Sequence, residues 1–247
     1  MPDFDFTPYA LLFGGMRKLA PGDDTVTLEL LDSLPRRDFT TIVDAGCGTG
    51  RSALVLARAL GRTIHALDLF DGFLDELRGH ATAAGLAPLV DARCMSMADI
   101  PDVFPHVDLL WSEGAAYSIG FDNALRTWRP ALAPDGILVA SELYWTREDV
   151  PDEAREFFAA EYPDIRSEAD LRAAAEAAGY RILGTRALED RFWREEFYDE
   201  LLPRATALSA HEDENVARVA RGMVREIEIY TRTNASYGYL FLILQPT

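Results

Sequence analysis

Three glycines at alternate positions, Gly46, Gly48 and Gly50, follow the apolar run Ile42-Val43-Asp44-Ala45, with Cys47 and Thr49 between them. Glycine has no Cβ, so such a run lets the chain turn sharply at the end of a strand and come close to a ligand. A helix starting immediately afterwards presents free N–H groups to an anionic part of that ligand. Strand, glycine turn and helix in that order point to a nucleotide-type cofactor. The spacing is Gly-x-Gly-x-Gly and not the Gly-x-Gly-x-x-Gly of dinucleotide binders, which disfavours a nicotinamide or flavin. A second group stands in register with the first: Asp68 ends the next apolar run, Ile64-His65-Ala66-Leu67, 22 residues after Gly46. A carboxylate there can accept the protons of both hydroxyls of a ribose. Alone it would serve equally well as a helix N-cap.

Glu113 and Glu142 fall just past two later strand candidates, where ligands of open parallel sheets bind. Glu113 can hold an amine, accept a proton from it or face a cationic cofactor; it can also cap its own turn through backbone N–H groups. Tyr9, Phe13, Tyr117, Tyr144, Trp145, Phe192, Trp193 and Tyr198 are candidates to shape an acceptor pocket. Their faces attract cations, although aromatic residues also dominate cores. None of His65, His80, His106 and His211 stands out as a base. Cys47 and Cys94 match no metal or redox spacing, so no metal site is expected and the thiols read as reduced.

Short β-rich runs alternate with helical patterns from about residue 40, the pattern of βαβ units around a parallel sheet. The strand candidates are 41–45, 63–67, 89–94, 107–111, 136–141, 180–187 and 237–245, with helical composition in segments such as 52–60 and 123–132. Ser167 and Asp170 mark the start of a further helix, Leu171, Ala174, Ala175 and Ala178 its inner stripe, and Gly179 its end. Two segments lie outside the rhythm. Residues 1–38 hold the apolar cluster Phe4, Phe6, Tyr9, Leu11, Leu12 and Phe13, then Gly14-Gly15 and a helical stretch from Thr25 to Leu34. Residues 191–232 read as helical, with Val216, Val219, Met223, Ile227 and Tyr230 at three- and four-residue steps. The expected organisation is a helical cap (1–38), an α/β core (39–190), a helical lid insertion (191–232) and a last core strand (233–247).

The chain has 247 residues and a formal net charge of −17, with Lys18 its only lysine. That charge disfavours nucleic acid and anionic membrane partners, whose affinity rests on Lys and Arg. No apolar run reaches the roughly 20 residues of a membrane span, and the N-terminal residues are acidic where a signal peptide is basic. A cytoplasmic monomer or homodimer is expected.

Taken together, these motifs resemble the class I S-adenosylmethionine-dependent methyltransferases. Val43–Gly50 is similar to their first motif and Asp68 to the acidic residue of their second. Met95-Ser96-Met97-Ala98-Asp99-Ile100-Pro101 is similar to the segment after the third strand that holds adenine. The resemblance covers about residues 40–187 and a last strand at 237–245. It implies a Rossmann-like α/β fold with a doubly wound, seven-stranded, mostly parallel sheet. It also implies S-adenosyl-L-methionine as cofactor, in contact with Asp44, Gly46, Cys47, Gly48, Gly50, Asp68, Leu69, Ser96, Met97 and Glu113. Many members carry Asp where Ser96 stands, and Met97 would still supply a backbone amide and an apolar face.

The segments 108–117 and 140–145 resemble a bacterial subgroup thought to act on small molecules. The implied catalytic residues are Glu113 and Tyr117, and the implied acceptor contacts are Tyr9, Tyr117, Glu142, Tyr144, Trp145 and Trp193. A neutral or cationic acceptor is favoured. Methyl transfer from a sulfonium is an in-line displacement, so alignment and exclusion of water matter most and a strong base is optional. Three other readings stay open: cyclisation or elimination with the same cofactor, a non-enzymatic S-adenosylmethionine-binding module, and a nicotinamide-dependent oxidoreductase.

Overall fold

The computed structural model describes residues 5–16 and 18–247; Phe4 of the N-terminal apolar cluster lies outside them. Among the described residues eight strands form one sheet: β1 (Ile42–Ala45), β2 (Ile64–Asp68), β3 (Val90–Cys94), β4 (Val107–Ser112), β5 (Leu132–Trp145), β6 (Arg166–Ser167), β7 (Tyr180–Ala187) and β8 (Tyr237–Pro246). Seven long strands lie in the order β3-β2-β1-β4-β5-β8-β7, and the two-residue β6 pairs with β5. The pairings from β3 to β5 are parallel, while β8 runs antiparallel to both neighbours. The strand order reverses at β1 and β4. A crevice opens at the carboxyl ends of such a pair, which is where ligands of doubly wound sheets sit.

Successive side chains on a strand point to opposite faces, and the two cores follow that alternation. Ile42, Leu109, Trp111, Ile137 and Val139 pack on one face, Val43, Ala45, Leu110, Leu138 and Ala140 on the other. On the first face lie α2 (Asp24–Asp32), α3 (Arg51–Leu60) and α4 (Asp71–Ala83). The other face is covered by α5 (Ile100–Val103), α6 (Phe121–Trp128) and α8 (Glu168–Ala177). Ser167 caps α8 by accepting from the Asp170 N–H, and Gly179 follows its end with φ +83°.

The fifth strand is longer at both ends than its apolar run, 136–141. At its start Pro134-Asp135-Gly136 reads as a turn, yet it lies inside β5 as an irregularity where the register to β4 shifts. At its end residues 142–145 are held extended by pairing with β8 as far as Trp145 opposite Tyr237. Cross-strand bonds thus carry β5 past the residues whose own pattern favours a strand.

Residues outside the sheet rhythm are helical, as their periodicity indicates. The N-terminal segment contains α1 (Thr7–Phe13) and α2. Between β7 and β8 come α9 (Asp190–Trp193), a π turn over Arg194–Tyr198, α10 (Asp199–Leu208) and α11 (Glu214–Arg232), with α7 (Asp152–Glu161) after β5. Phe13 stacks on Phe197 at 6.4 Å, Arg204 donates to the Gly14 carbonyl at 2.8 Å, and Asn215 donates to Asp5 at 2.8 Å. Phe6 stacks on Phe70 at 5.0 Å, beside the end of β2. The N-terminal segment therefore bridges the loop after β2 and the helices of the insertion.

Candidate functional site

The glycine turn is built by positive φ angles at Gly46 (+76°), Gly48 (+54°) and Gly50 (+87°). Only glycine adopts that region without strain. The turn is also crowded. A Cβ on Gly46 would lie 2.3 Å from the Ala115 Cβ, and one on Gly50 2.0 Å from a Leu77 methyl. Gly46 and Cys47 donate their N–H groups to the Leu67 carbonyl at 2.8 and 2.9 Å, which ties the turn to β2. Asp68, at the end of β2, accepts from Gly48 N–H at 2.9 Å through one oxygen and from Phe70 N–H at 3.0 Å through the other. Burial raises its pKa against those two bonds. Asp68 thus fixes the glycine turn and stands at its mouth, with Leu69 exposed beside it.

Asp44 is buried beneath the turn, at 1% exposure, and its Oδ2 has no hydrogen-bond partner. Burial first, then the negative charge of Glu113, pushes its pKa up to about 8. The Cys47 thiol is raised well above its ordinary value by burial, so it is no thiolate nucleophile. Ser96 is buried and accepts from Ala98 N–H at 3.1 Å, capping the turn after β3. The Met97 methyl would lie 3.0 Å from a Cβ on Gly46, and the Met97 carbonyl accepts from Trp128 Nε1 at 2.8 Å.

Glu113 lies past the end of β4 with both oxygens engaged. One accepts from Trp111 Nε1 at 2.7 Å and Thr27 Oγ1 at 2.8 Å, and the other pairs with Arg51. The carboxylate expected to act on substrate is therefore spent on joining β4, α2 and the first residue of α3. Arg51 and Thr27 were not singled out from the sequence; no local pattern connects positions that are so far apart in the chain. Gly114 N–H donates to Ser141 Oγ at 2.7 Å and so ties the ends of β4 and β5 together. The N-terminal segment covers this region: a Cβ on Gly48 would meet Leu19 at 2.7 Å, and one on Gly114 would meet Ala20 at 2.6 Å.

Beyond Gly114 lies a second group of residues. The Tyr239 hydroxyl would be 3.5 Å from a Cβ on Gly114, and Tyr117 packs edge-on to Tyr162 at 6.0 Å between centroids. Tyr117 is 41% exposed, yet burial pushes its hydroxyl up to about 12, with Glu226, Tyr9 and Glu142 adding to the shift. Glu142 is 1% exposed, and burial raises its pKa to about 7. One of its oxygens accepts from Leu143 N–H at 2.9 Å, and Oε2 has no hydrogen-bond partner.

Three expected pocket residues stand in packing positions instead. Trp193 is 3% exposed, stacked on Tyr230 at 5.3 Å and edge-on to Tyr237. Tyr144 is buried on the face that holds Leu171, and Trp145 packs edge-on to Phe158 at 5.5 Å. A large aromatic on an inward-facing helix or strand position is used first for burial. Tyr162, Tyr239 and Glu226 were missed in the sequence. Glu226 carried a readable signal: it stands between Met223 and Ile227 on the inward side of α11, where a carboxylate is out of place.

His65 meets Asp91 at 2.7 Å, His80 the Thr49 carbonyl at 3.2 Å, and His211 accepts from Asp213 N–H at 3.1 Å. None of these contacts lies among the carboxylates and tyrosines past β4 and β5.

Residues 42–136 match the family model described as a methyltransferase domain. Two curated relatives match over about half of this chain. The ribosomal protein arginine N-methyltransferase rmt3 of Schizosaccharomyces pombe is 30% identical over 138 residues, 49% of this chain and 25% of that protein. Methyltransferase GfsG of Streptomyces halstedii is 25% identical over 126 residues, 51% of this chain and 45% of that protein. The chain thus spans less than half the length of either. A Geobacter sulfurreducens S-adenosylmethionine-dependent methyltransferase, solved with S-adenosylhomocysteine, superposes with a TM-score of 0.82 over 100% of both chains at 21% identity. The [4+2]-cyclase SpnF superposes with a TM-score of 0.75 over 97% of this chain and 92% of its own, at 20% identity.

Proposed function

We propose, from the premise that residues 42–136 form a methyltransferase domain within a chain-wide S-adenosylmethionine-dependent methyltransferase fold, that this protein transfers a methyl group to a small-molecule acceptor. The observation that carries the reading is the crowded glycine turn with Asp68 bonded across it. S-adenosylmethionine supplies an electrophilic methyl on a sulfonium and carries a second positive group, its ammonium. The residues present fit it: Asp44 keeps a buried oxygen without a partner beside the turn, and Asp68 stands where a ribose is held. In this reading Leu69, Ser96 and Met97 flank the adenine, and Gly46, Cys47, Gly48 and Gly50 give close backbone approach. Glu113 positions Arg51 and the start of α3.

A small acceptor is supported by the cover over the crevice. Leu19 and Ala20 press on Gly48 and Gly114, and α1 packs against α10 and α11. We read residues 1–38 as a cap and 191–232 as a lid on the α/β core, excluding water from a reaction that needs mainly alignment. The net charge of −17 further disfavours an anionic polymer as acceptor.

Incubation with methyl-labelled S-adenosylmethionine and a panel of small amines, phenols, carboxylates and electron-rich heterocycles tests the reading. The label should appear on an acceptor with equimolar S-adenosylhomocysteine. The likeness to SpnF keeps one alternative in play, a cyclase that binds the same cofactor. Tight cofactor binding with the label retained on sulfur throughout the panel would replace transfer by that alternative.

A further inference from the structure

Two successive residues of the N-terminal segment reach both lips of the crevice between β1 and β4. A Cβ on Gly48, in the turn after β1, would lie 2.7 Å from a Leu19 methyl, and one on Gly114, past β4, 2.6 Å from the Ala20 Cβ. Residues 18–22 therefore form a strap across the place where a ligand of this sheet enters. The strap is neither helix nor strand, yet Lys18, Pro21 and Gly22 in it are buried. Before it, the Gly14 carbonyl accepts from Arg204 at 2.8 Å and Gly15 N–H donates to Glu76 at 3.3 Å. After it, Asp23 caps α2 by accepting from Val26 N–H at 2.9 Å.

A polar knot crosses the same gap alongside the strap. Arg51 follows Gly50 of the turn, Glu113 precedes Gly114, and the two form an ion pair whose side chains are only 13% and 6% exposed. Arg51 Nη1 donates to Thr27 Oγ1 at 3.0 Å, and Thr27 Oγ1 donates to Glu113 Oε1 at 2.8 Å, where Trp111 Nε1 also donates. Asp24 stands 3.7 Å from Arg51. Arg51, Trp111 and Glu113 belong to the core, whereas Thr27 and Asp24 belong to α2, which begins where the strap ends. A Cβ on Gly22 would lie 3.8 Å from both Arg51 Nη2 and Glu113 Oε2, so the end of the strap rests on the ion pair itself. Thr27 is fully buried between Val26 and Leu30 on the inner side of α2. A hydroxyl there is costly without partners, and the knot supplies them.

We propose that Thr27, Arg51 and Glu113 are a latch that holds the strap across the cofactor crevice, so that the nucleotide exchanges only when the bonds of Thr27 open and the strap lifts. The proposal rests on the reading of this crevice as the S-adenosylmethionine site. Thr27 is then a positioning residue: it acts through Glu113 and Arg51. Because the latch is made of protein groups alone, it opens and closes with or without nucleotide and sets rates more than affinity. Weakening it speeds entry and release together. A merely structural defect at Thr27 would instead loosen the bound state and speed release alone.

The strap carries its own reporter. Lys18 is the only lysine of the chain and is buried, so a lysine-specific protease cuts the native protein only there and in proportion to the lifted state. Thr27→Val keeps the shape of the side chain and removes the hydroxyl. It should speed cleavage after Lys18 in the absence of nucleotide about tenfold, the worth of one hydrogen bond. In stopped-flow fluorescence it should raise the on-rate and off-rate of S-adenosylhomocysteine together, with Kd nearly unchanged, and Thr27→Ser should restore both readouts. Cleavage and rates of a folded Thr27→Val that match wild type overturn the proposal, and so does a rise in the off-rate alone. If Thr27→Val fails to fold, Leu19→Ala decides: it trims the contact on Gly48, and unchanged exchange rates overturn the strap as a gate. Absence of S-adenosylhomocysteine binding by the wild type strikes the cofactor reading instead, and cleavage at Lys18, read without nucleotide, then decides whether Thr27 latches the strap.

Discussion

In the proposed reading Asp68 carries two duties with one carboxylate, and they can be separated by substitution. Its bonds to Gly48 and Phe70 N–H are local, whereas a ribose would add two charge-assisted bonds worth roughly 1.5–3 kcal/mol each. Asp68→Ala should therefore cost about 100-fold or more in S-adenosylhomocysteine affinity while leaving a folded protein, as titration calorimetry and circular dichroism will report. Near-normal affinity would remove Asp68 from the ribose. Glu142 makes a different prediction, about stability. Its folded pKa of about 7 lies above the ordinary carboxylate value, so the native state holds a proton that the unfolded chain releases. Stability is then intact below about pH 4 and falls as pH rises toward 7. Glu142→Gln should gain on the order of 2–3 kcal/mol relative to wild type between pH 5 and pH 8 in denaturant titrations; a gap that stays constant with pH would refute the assignment. At this scale the sequence yielded the glycines, Asp68 and Glu142, whose types and positions carry local chemistry. It did not yield Arg51, Thr27, Tyr162 or Glu226, because what each of them does depends on partners supplied by distant elements.

Among the elements, the turn from β1 into α3 tolerates least change. Gly50 and Gly61 cap the two ends of α3, both with positive φ, at +87° and +61°. A Cβ on Gly50 would lie 2.0 Å from Leu77, while one on Gly61 would meet nothing. Gly61→Ala should cost only the backbone strain, about 1 kcal/mol. Gly50→Ala should add overpacking of roughly 1–3 kcal/mol and weaken cofactor binding as well. Equal melting shifts for the two variants would contradict this account of the turn. The strands β1 to β4 and the helices α3 and α8 were legible because apolar alternation and caps are local signals. The ends of β5 were not, since the β4 register and the β8 pairing set them. Trp193 was not placed by the sequence for the same reason: an aromatic residue in a helical stretch gives no sign of whether it faces a ligand or, as here, packs on Tyr230 and Tyr237.

For the whole molecule, the net charge of −17 acquires a location. Acidic side chains of the outer helices pair with arginines, such as Glu153 with Arg232 and Glu214 with Arg221, where exposed pairs contribute little to stability. Asp44 and Asp68 stand near the ends of β1 and β2, and Glu113 lies past β4, where it pairs with Arg51. The periodicity of residues 191–232 foretold helices; that they pack against α1 across the chain required the fold. If these segments form a cap and lid, limited proteolysis should cleave within 1–38 and 191–232, and S-adenosylhomocysteine should slow that cleavage. Unchanged cleavage in both segments would count against a cover that responds to ligand.

The central claim is that the glycine turn and Asp68 bind the cofactor of methyl transfer. Titration calorimetry of the full chain with S-adenosylhomocysteine tests it most directly. The account predicts saturable one-to-one binding that Asp68→Ala largely removes; no heat of binding at millimolar nucleotide would contradict it.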